Sequence, residues 1–414
     1  MRSGAAWSMM GGRMLLSFED AIERALHGLG RLSEERVGLD RAHGRVLASD
    51  VVADMPLPRF SYSAMDGYAV RASWFSDDGP WTFAVRGESR AGEAGPPLRH
   101  GHACRIFTGA PIPEGANAVI IQEDVSRSGD QITTSERAQE GQNIRPAGAD
   151  LKKGALALAE GERLTPGKVG LVASLDRAHV MVARRPTVTF LSTGDELRAP
   201  GVAGPPESIP ESNSYVLGEM ARRAGATPRI SPFTADDATA TENAIRRAIR
   251  GTDLVVTVGG ASVGDHDLVR PAMDAIGVSF QFWGVAVKPG KPTAVGTLGA
   301  TKVLCLPGNP ASATLTFGLF GMAMIRAMQG DGAPRPLRVP TRVIGSHRRR
   351  PGREEYLRAR LELHDGELCA VLPTSQSSGA VTSFAQADAL VVLPADRPVI
   401  DNGDRLDMIR LADL

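Results

Sequence analysis

Four short segments of the chain carry the residue types from which an anion site is built. They are Thr193-Gly194-Asp195-Glu196, the glycine-rich run 259–267 (GGASVGDHD), Lys288-Pro289-Gly290-Lys291, and Pro307-Gly308-Asn309. Glycines at 194, 259, 260, 264 and 308 let backbone N–H groups approach an anion, and a helix that starts behind such a turn adds the positive end of its dipole. A phosphate suits such a cradle. Lys288 and Lys291 place point charges three residues apart on a stiff turn, in a chain with six lysines against 41 arginines. Asp195, Glu196, Asp265 and Asp267 would repel the same anion unless a divalent cation lies between, or unless a carboxyl works as acid or base. Cradle and carboxylates together imply chemistry on a phosphorylated molecule. Asp195 or Asp265 equally suits a helix cap, and one glycine turn alone is often only a turn. The weight lies in four such loops meeting at one sheet edge.

The elements that would position these loops are legible from 186 to 330. The runs TVTFLST, PRISPF, DLVVTVGG and KVLCLPG read as strands, and the segments between and after them have helical spacing. That grammar predicts a parallel, doubly wound α/β domain whose ligand loops follow the strands. Ahead of it, residues 14–58 open with a helix bearing Phe18, Ile22, Ala25, Leu26 and Leu29 on one stripe, with Ser17 as its cap. Residues 59–149 hold short alternating runs split by Gly, Pro and Asp, a β-rich insertion domain. Residues 150–185, with a short helix at 166–174, return to the first unit, which makes a discontinuous α+β N-terminal domain. Residues 335–414 read as a small β-barrel or sandwich.

Other classes are excluded. There is no GxxxxGK[ST] run and no GxGxxG after a strand, which removes P-loop and dinucleotide-binding readings. With 47 Lys+Arg against 47 Asp+Glu the formal net charge is zero, so neither a nucleic-acid coat nor a polybasic membrane binder is expected. Three widely spaced cysteines suit reduced thiols in a cytoplasmic protein. The most apolar stretch, 311–325, is expected to be a buried core helix rather than a membrane span. His100, His102 and Cys104 fit a strand entry better than a metal site, and the basic run at 347–350 fits a solvated loop.

The segments SAMDGYAV (63–70), FTGAPIPEGANAVI (107–120), STGDEL (192–197), SNSYVL (212–217), GGASVGDHD (259–267), KPGKPTAVG (288–296) and LPGNPASA (306–313) resemble, in order, the molybdopterin molybdenumtransferases of the MoeA family, relatives of the C-terminal region of gephyrin. The tail segment 374–383 matches too. The resemblance implies a homodimer of four-domain subunits, with a molybdopterin-binding central domain and dimerisation through the N-terminal one. It implies molybdenum insertion into adenylylated molybdopterin, with molybdate as co-substrate, AMP as product and Mg2+ as cofactor. Thr193, Gly194, Asp195, Gly259, Gly260, Ser262, Gly264, Lys288, Lys291, Pro307, Gly308, Asn309 and Ser312 would then bind substrate. Glu196 and Asp267 would be catalytic acids, and Glu196, Asp265 and Asp267 would together be the metal ligands. Asp66 and Thr108 would be catalytic from the insertion, the insertion of one subunit covering the cleft of its partner. Asp150 and Asp236 occupy further acidic positions, for which a turn and a helix start are equally good readings. A molybdopterin adenylyltransferase and molybdoenzyme maturation proteins would be working partners. Gly284 departs from the pattern, which often has a basic residue there, and Ala149 replaces a common acid. Two competing activities remain: ATP-dependent adenylylation of molybdopterin, and a non-catalytic gephyrin-like scaffold.

Overall fold

The computed structural model describes residues 9–10, 13–234, 237–260, 268–374, 376 and 381–414. Its central sheet has the order Thr227–Ile230, Thr187–Ser192, Leu254–Val258, Thr301–Leu306, Ala294–Leu298, Ser279–Trp283. The first four strands are parallel. The inner ones are almost wholly buried, as helices on both faces require. Asn213–Arg223 and the long helix Pro310–Met328 cover one face through Leu217, Ala221, Phe317 and Phe320. Ala238–Ala248 and Val269–Ala275 cover the other through Ala244, Ile245, Val269 and Met273. The domain is doubly wound, as expected.

It is not all-parallel, and this corrects the sequence expectation. Ala294–Leu298 runs antiparallel to its neighbours Thr301–Leu306 and Ser279–Trp283, so the edge strand Ser279–Trp283 again points the same way as the first four. The cause is local: Leu298 pairs with Thr301 across a two-residue hairpin whose Gly299 has φ +59°, and so short a link can only reverse the chain. The helix Pro310–Met328 is long and apolar enough to cross a membrane, yet 83% of its apolar window is buried inside the fold.

Ser17 caps the helix Phe18–Leu26, its hydroxyl accepting from the Asp20 N–H at 3.1 Å. Phe18, Ala21, Ile22 and Ala25 form the buried stripe. That stripe packs against Phe320 and Tyr356, in the core shared by the central sheet and the C-terminal domain. The rest of the N-terminal unit has its own core of Val37, Leu47, Val51, Leu158, Leu164, Val172 and Val182. There Glu34–Gly38 pairs with His179–Ala183, and Val51–Val52 with Leu156–Leu158. The chain leaves this unit and returns to it.

Between the two visits lies a six-stranded sheet, ordered Ser126–Ser128, Gln131–Thr134, Trp81–Ser89, His102–Ile106, Gly67–Val70, Ala118–Ile121. His100 packs its ring near Trp74, and Cys104 is buried in this strand layer. The tail forms a barrel rather than a sandwich. Glu354–His364 pairs on one side with Glu367–Val371 and on the other with Ala389–Leu393, so the circuit through Val339–Ile344 and Arg405–Arg410 closes. The two residues Val287–Lys288 add to its rim beside Glu354 and Glu355.

Candidate functional site

Register aligns the ends of three parallel strands. Ser192 lies opposite Val258, and Val258 opposite Leu306. The next residues, Thr193, Gly259 and Pro307, therefore stand side by side at the carboxyl edge, where open sheets take ligands. Hydrogen bonds lock them: Thr193 N–H donates to Val258 O and Gly259 N–H to Leu306 O, both at 3.1 Å. A cavity of about 510 Å³ opens over this edge. Its walls include Thr193, Gly194, Glu196, Gly259, Gly260, Pro307, Gly308 and Asn309.

Glycine is demanded at two of these positions by geometry. Gly259 has φ +93°, and a Cβ there would lie 2.7 Å from the Thr193 carbonyl oxygen. Gly260 has φ +59°, with Val269 Cγ2 at 2.3 Å from the same imaginary atom. Gly308 brings the third turn within 3.4 Å of Gly259 Cα on the same measure, so backbone rather than side chains floors the cavity. The exposed carboxylate of Glu196 folds back over Gly194 at the rim.

Two lining residues escaped the sequence reading. Glu211 is buried, and its Oε1 accepts from the Ser192 hydroxyl at 3.1 Å and from the Ser214 N–H at 2.9 Å. It ties the first loop to the start of the helix Asn213–Arg223 and places negative charge at that helix's positive end. Asn213 Nδ2 donates to Gly308 O at 2.9 Å, fixing the third turn to the same helix. The signal was present in the run Glu211-Ser212-Asn213-Ser214, an acid and polar residues at a helix start.

The fourth loop sits differently from its expected place. It contributes Pro292 to the cavity wall, whereas Lys288 forms a 2.9 Å ion pair with Glu355 of the barrel. Glu355 is buried, and His347 at 3.3 Å and Arg349 at 3.5 Å face it too. A buried carboxylate draws the available cations to itself, which is the physical reason Lys288 turns from the cradle. Of the basic run at 347–350, His347 and Arg349 belong to this ion cluster, while Arg348 and Arg350 are exposed. Lys291 is not among the lining residues. Ser312 is buried in the first turn of its helix, where its carbonyl accepts the Thr316 hydroxyl at 2.7 Å.

Asp66 and Thr108 meet each other in the insertion, away from the cavity wall of their own chain. Asp66 Oδ1 accepts from the Thr108 N–H at 2.8 Å and from its hydroxyl at 2.7 Å. These bonds hold the Asp66 carboxyl below its usual range. Asp150 is ion-paired with Arg145. Ser262, Gly264, Asp265, Asp267 and Asp236 lie outside the described residues. Among the described residues no three His, Cys, Asp or Glu side chains gather as a metal site. Two carboxylates line the cavity: Glu211, whose Oε1 is engaged by Ser192 and Ser214, and the exposed Glu196, a hard oxygen ligand of the kind magnesium takes.

Such a fold and site define a protein whose doubly wound α/β domain, with a small-molecule cavity at its carboxyl edge, is joined to an N-terminal unit carrying a β-rich insertion and to a C-terminal barrel. Family models match along the chain: "MoeA N-terminal region (domain I and II)" over 16–175, "Probable molybdopterin binding domain" over 189–327, and "MoeA C-terminal region (domain IV)" over 345–411. Molybdopterin molybdenumtransferase 2 of Mycobacterium tuberculosis H37Rv is 35% identical over 90% of this chain and 94% of its own. Molybdopterin molybdenumtransferase of Haemophilus influenzae is 34% identical over 94% and 97%. A solved structure of the molybdopterin biosynthesis MoeA protein from Pyrococcus horikoshii OT3 superposes with a TM-score of 0.84 at 29% identity, covering 96% of this chain and all of that one. The chain belongs to the MoeA family.

Proposed function

We propose that the protein is a molybdopterin molybdenumtransferase that takes adenylylated molybdopterin and molybdate and releases AMP. The observation that carries this is the cavity floored by three backbone turns at the carboxyl edge of a domain of molybdopterin-binding type. Its volume of about 510 Å³ lies within the usual range for a small-molecule site. Gly260 and Gly308 bring backbone N–H groups to the phosphates, those of Gly194 and Gly259 being taken by Thr234 O and Leu306 O, and Glu196 stands at the rim, with Asp265 and Asp267 a few residues beyond Gly260 in the sequence. These three acids would hold magnesium, which when bound neutralises charge on the phosphoanhydride. The two dithiol sulfurs bond to molybdenum as one molybdate oxygen takes their two protons and leaves as water, and a water cleaves the anhydride, with AMP leaving and the pterin phosphate retained.

The site is shared between two subunits. Asp66 and Thr108 do not line the cavity of their own chain, and a partner's insertion laid across the cleft would bring them to it. The substrate requires an upstream enzyme that adenylylates molybdopterin. The three cysteines are buried free thiols, which suits a reducing cytoplasm.

The test is AMP release and pterin-bound molybdenum after mixing the protein with adenylylated molybdopterin, molybdate and magnesium. Molybdate-dependent AMP release that disappears in Glu196→Ala and Asp267→Ala supports the reading. Consumption of ATP with unmodified molybdopterin would identify an adenylyltransferase instead, and tight binding without turnover a scaffold.

A further inference from the structure

Asp66 and Thr108 belong to different turns of the insertion, and the residue next to each meets one guanidinium, Gly67 through its carbonyl and Phe107 through its ring. Asp66 precedes the strand Gly67–Val70, and Thr108 follows the strand His102–Ile106 that lies antiparallel to it, with Tyr68 opposite Arg105. Arg105 Nη1 donates to the Gly67 carbonyl at 3.0 Å, and Nη2 donates to Gln122 Oε1 at 2.7 Å. Gln122 in turn donates its backbone N–H to the Asp66 carbonyl at 3.1 Å. The guanidinium carbon lies 5.1 Å from the centre of the Tyr68 ring and 4.8 Å from that of Phe107. Arg105 thus touches the residue after Asp66, the residue before Thr108, and the residue that holds the Asp66 carbonyl.

We propose that Arg105 is a positioning residue for the transfer reaction, clamping the Asp66–Thr108 pair in the geometry it presents to substrate. The proposal rests on the reading that this pair serves the reaction. The clamp is a planar one. Two acceptors are met by two nitrogens of one fork while its faces meet two rings, and a lysine ammonium has neither the fork nor the flat face. The neighbouring sequence is built around the same close approach: a Cβ at Gly67 would lie 1.9 Å from the Ile120 carbonyl oxygen, so the strands beside Asp66 leave no slack.

Molybdate-dependent AMP release is to be measured for wild type, Arg105→Lys, Arg105→Gln, Asp66→Asn and the Arg105→Gln/Asp66→Asn double variant, with the thermal midpoint of each. Both Arg105 variants are expected to lose about 10- to 100-fold in kcat with KM within about twofold, the pattern of misplaced rather than missing binding groups. The double variant should be no slower than Asp66→Asn, because nothing is left to position. Full kcat in Arg105→Gln beside a crippled Asp66→Asn overturns the clamp and leaves the Asp66 reading standing. Full activity in Asp66→Asn overturns that reading itself. Additive losses, full rescue by Arg105→Lys, a rise in KM at constant kcat, or a kcat loss that follows a falling thermal midpoint each overturn the positioning role.

Discussion

Gly259→Ala is the sharpest probe of a cavity floored by backbone. The new methyl carbon would sit 2.7 Å from the Thr193 carbonyl oxygen, about 0.8 Å inside the ~3.5 Å optimum for non-bonded heavy atoms. The obstacle is main chain, so no rotamer change relieves it. Holding alanine at φ +93° costs about 1–3 kcal/mol by itself. Parting the two turns strains the bonds from Thr193 N–H to Val258 O and from Gly259 N–H to Leu306 O, at about 1 kcal/mol for each one lost. The sum is about 2–5 kcal/mol. Gly277→Ala supplies the control, since Gly277 has φ +88° with nothing within 4 Å of its missing Cβ, and it should show the backbone cost alone. Urea unfolding of both variants, with substrate affinity measured at 25 °C, separates the terms. Gly259→Ala should be the less stable by about 1–2 kcal/mol and should bind adenylylated molybdopterin at least tenfold more weakly. Equal stability losses at the two positions, or unchanged affinity in Gly259→Ala, would refute the claim that close backbone approach makes the cradle.

Two further outcomes follow from charge and burial. Burial raises the Asp253 carboxyl, but the two-pronged bond from Arg184 and the Thr187 N–H outweigh it, so its folded value is lowered. A lowered carboxyl contributes stability above its unfolded value of about 3.9 and loses it as pH falls through the folded one. Asp253→Asn should therefore cost about 1–2 kcal/mol at pH 7, allowing for the partial exposure of Arg184, and the gap to wild type should narrow below pH 4 in urea titrations. Burial also pushes the Cys104 thiol up to about 11. It should stay unmodified by a thiol reagent at pH 8 until urea unfolds the insertion, and mass spectrometry of the labelled chain would show earlier reaction if the burial were wrong.

Sequence periodicity reveals an element when burial imposes a pattern, and the central domain shows where that stops. Thr187–Ser192 and Leu254–Val258 are legible because a strand covered on both faces must be apolar throughout. Ser279–Trp283 and Ala294–Leu298 hold mixed residues at the sheet's edge, and the reversed course of Ala294–Leu298 depends on a hairpin of two residues. The glycine turns are legible for a related reason, since positive φ and close approach admit few other residues. Gly284, which departs from the usual basic residue, follows the same rule. It has φ +102°, and a Cβ there would lie 2.9 Å from Leu15 Cδ2. A long cationic side chain at that position would have to overcome both.

Side-chain destinations are harder to read, because they depend on what the rest of the chain leaves unpaired. Lys288 is two residues from Gly290 and three from Lys291, and spacing alone sends it toward a phosphate. The decisive residue lies 67 positions away. Glu355 is carried into the barrel rim by strand pairing beside Lys288, and a carboxylate buried there needs cations at any cost to neighbouring sites. Glu211 shows the converse. Its place on the cavity wall is set by a local helix start, yet the same carboxylate oxygen reaches across to Ser192 at the end of a strand 19 residues earlier. A site assembled from strand ends is therefore legible in its backbone and only partly in its charges: φ is chosen residue by residue, whereas each buried charge is settled by whichever partner the whole fold brings within reach.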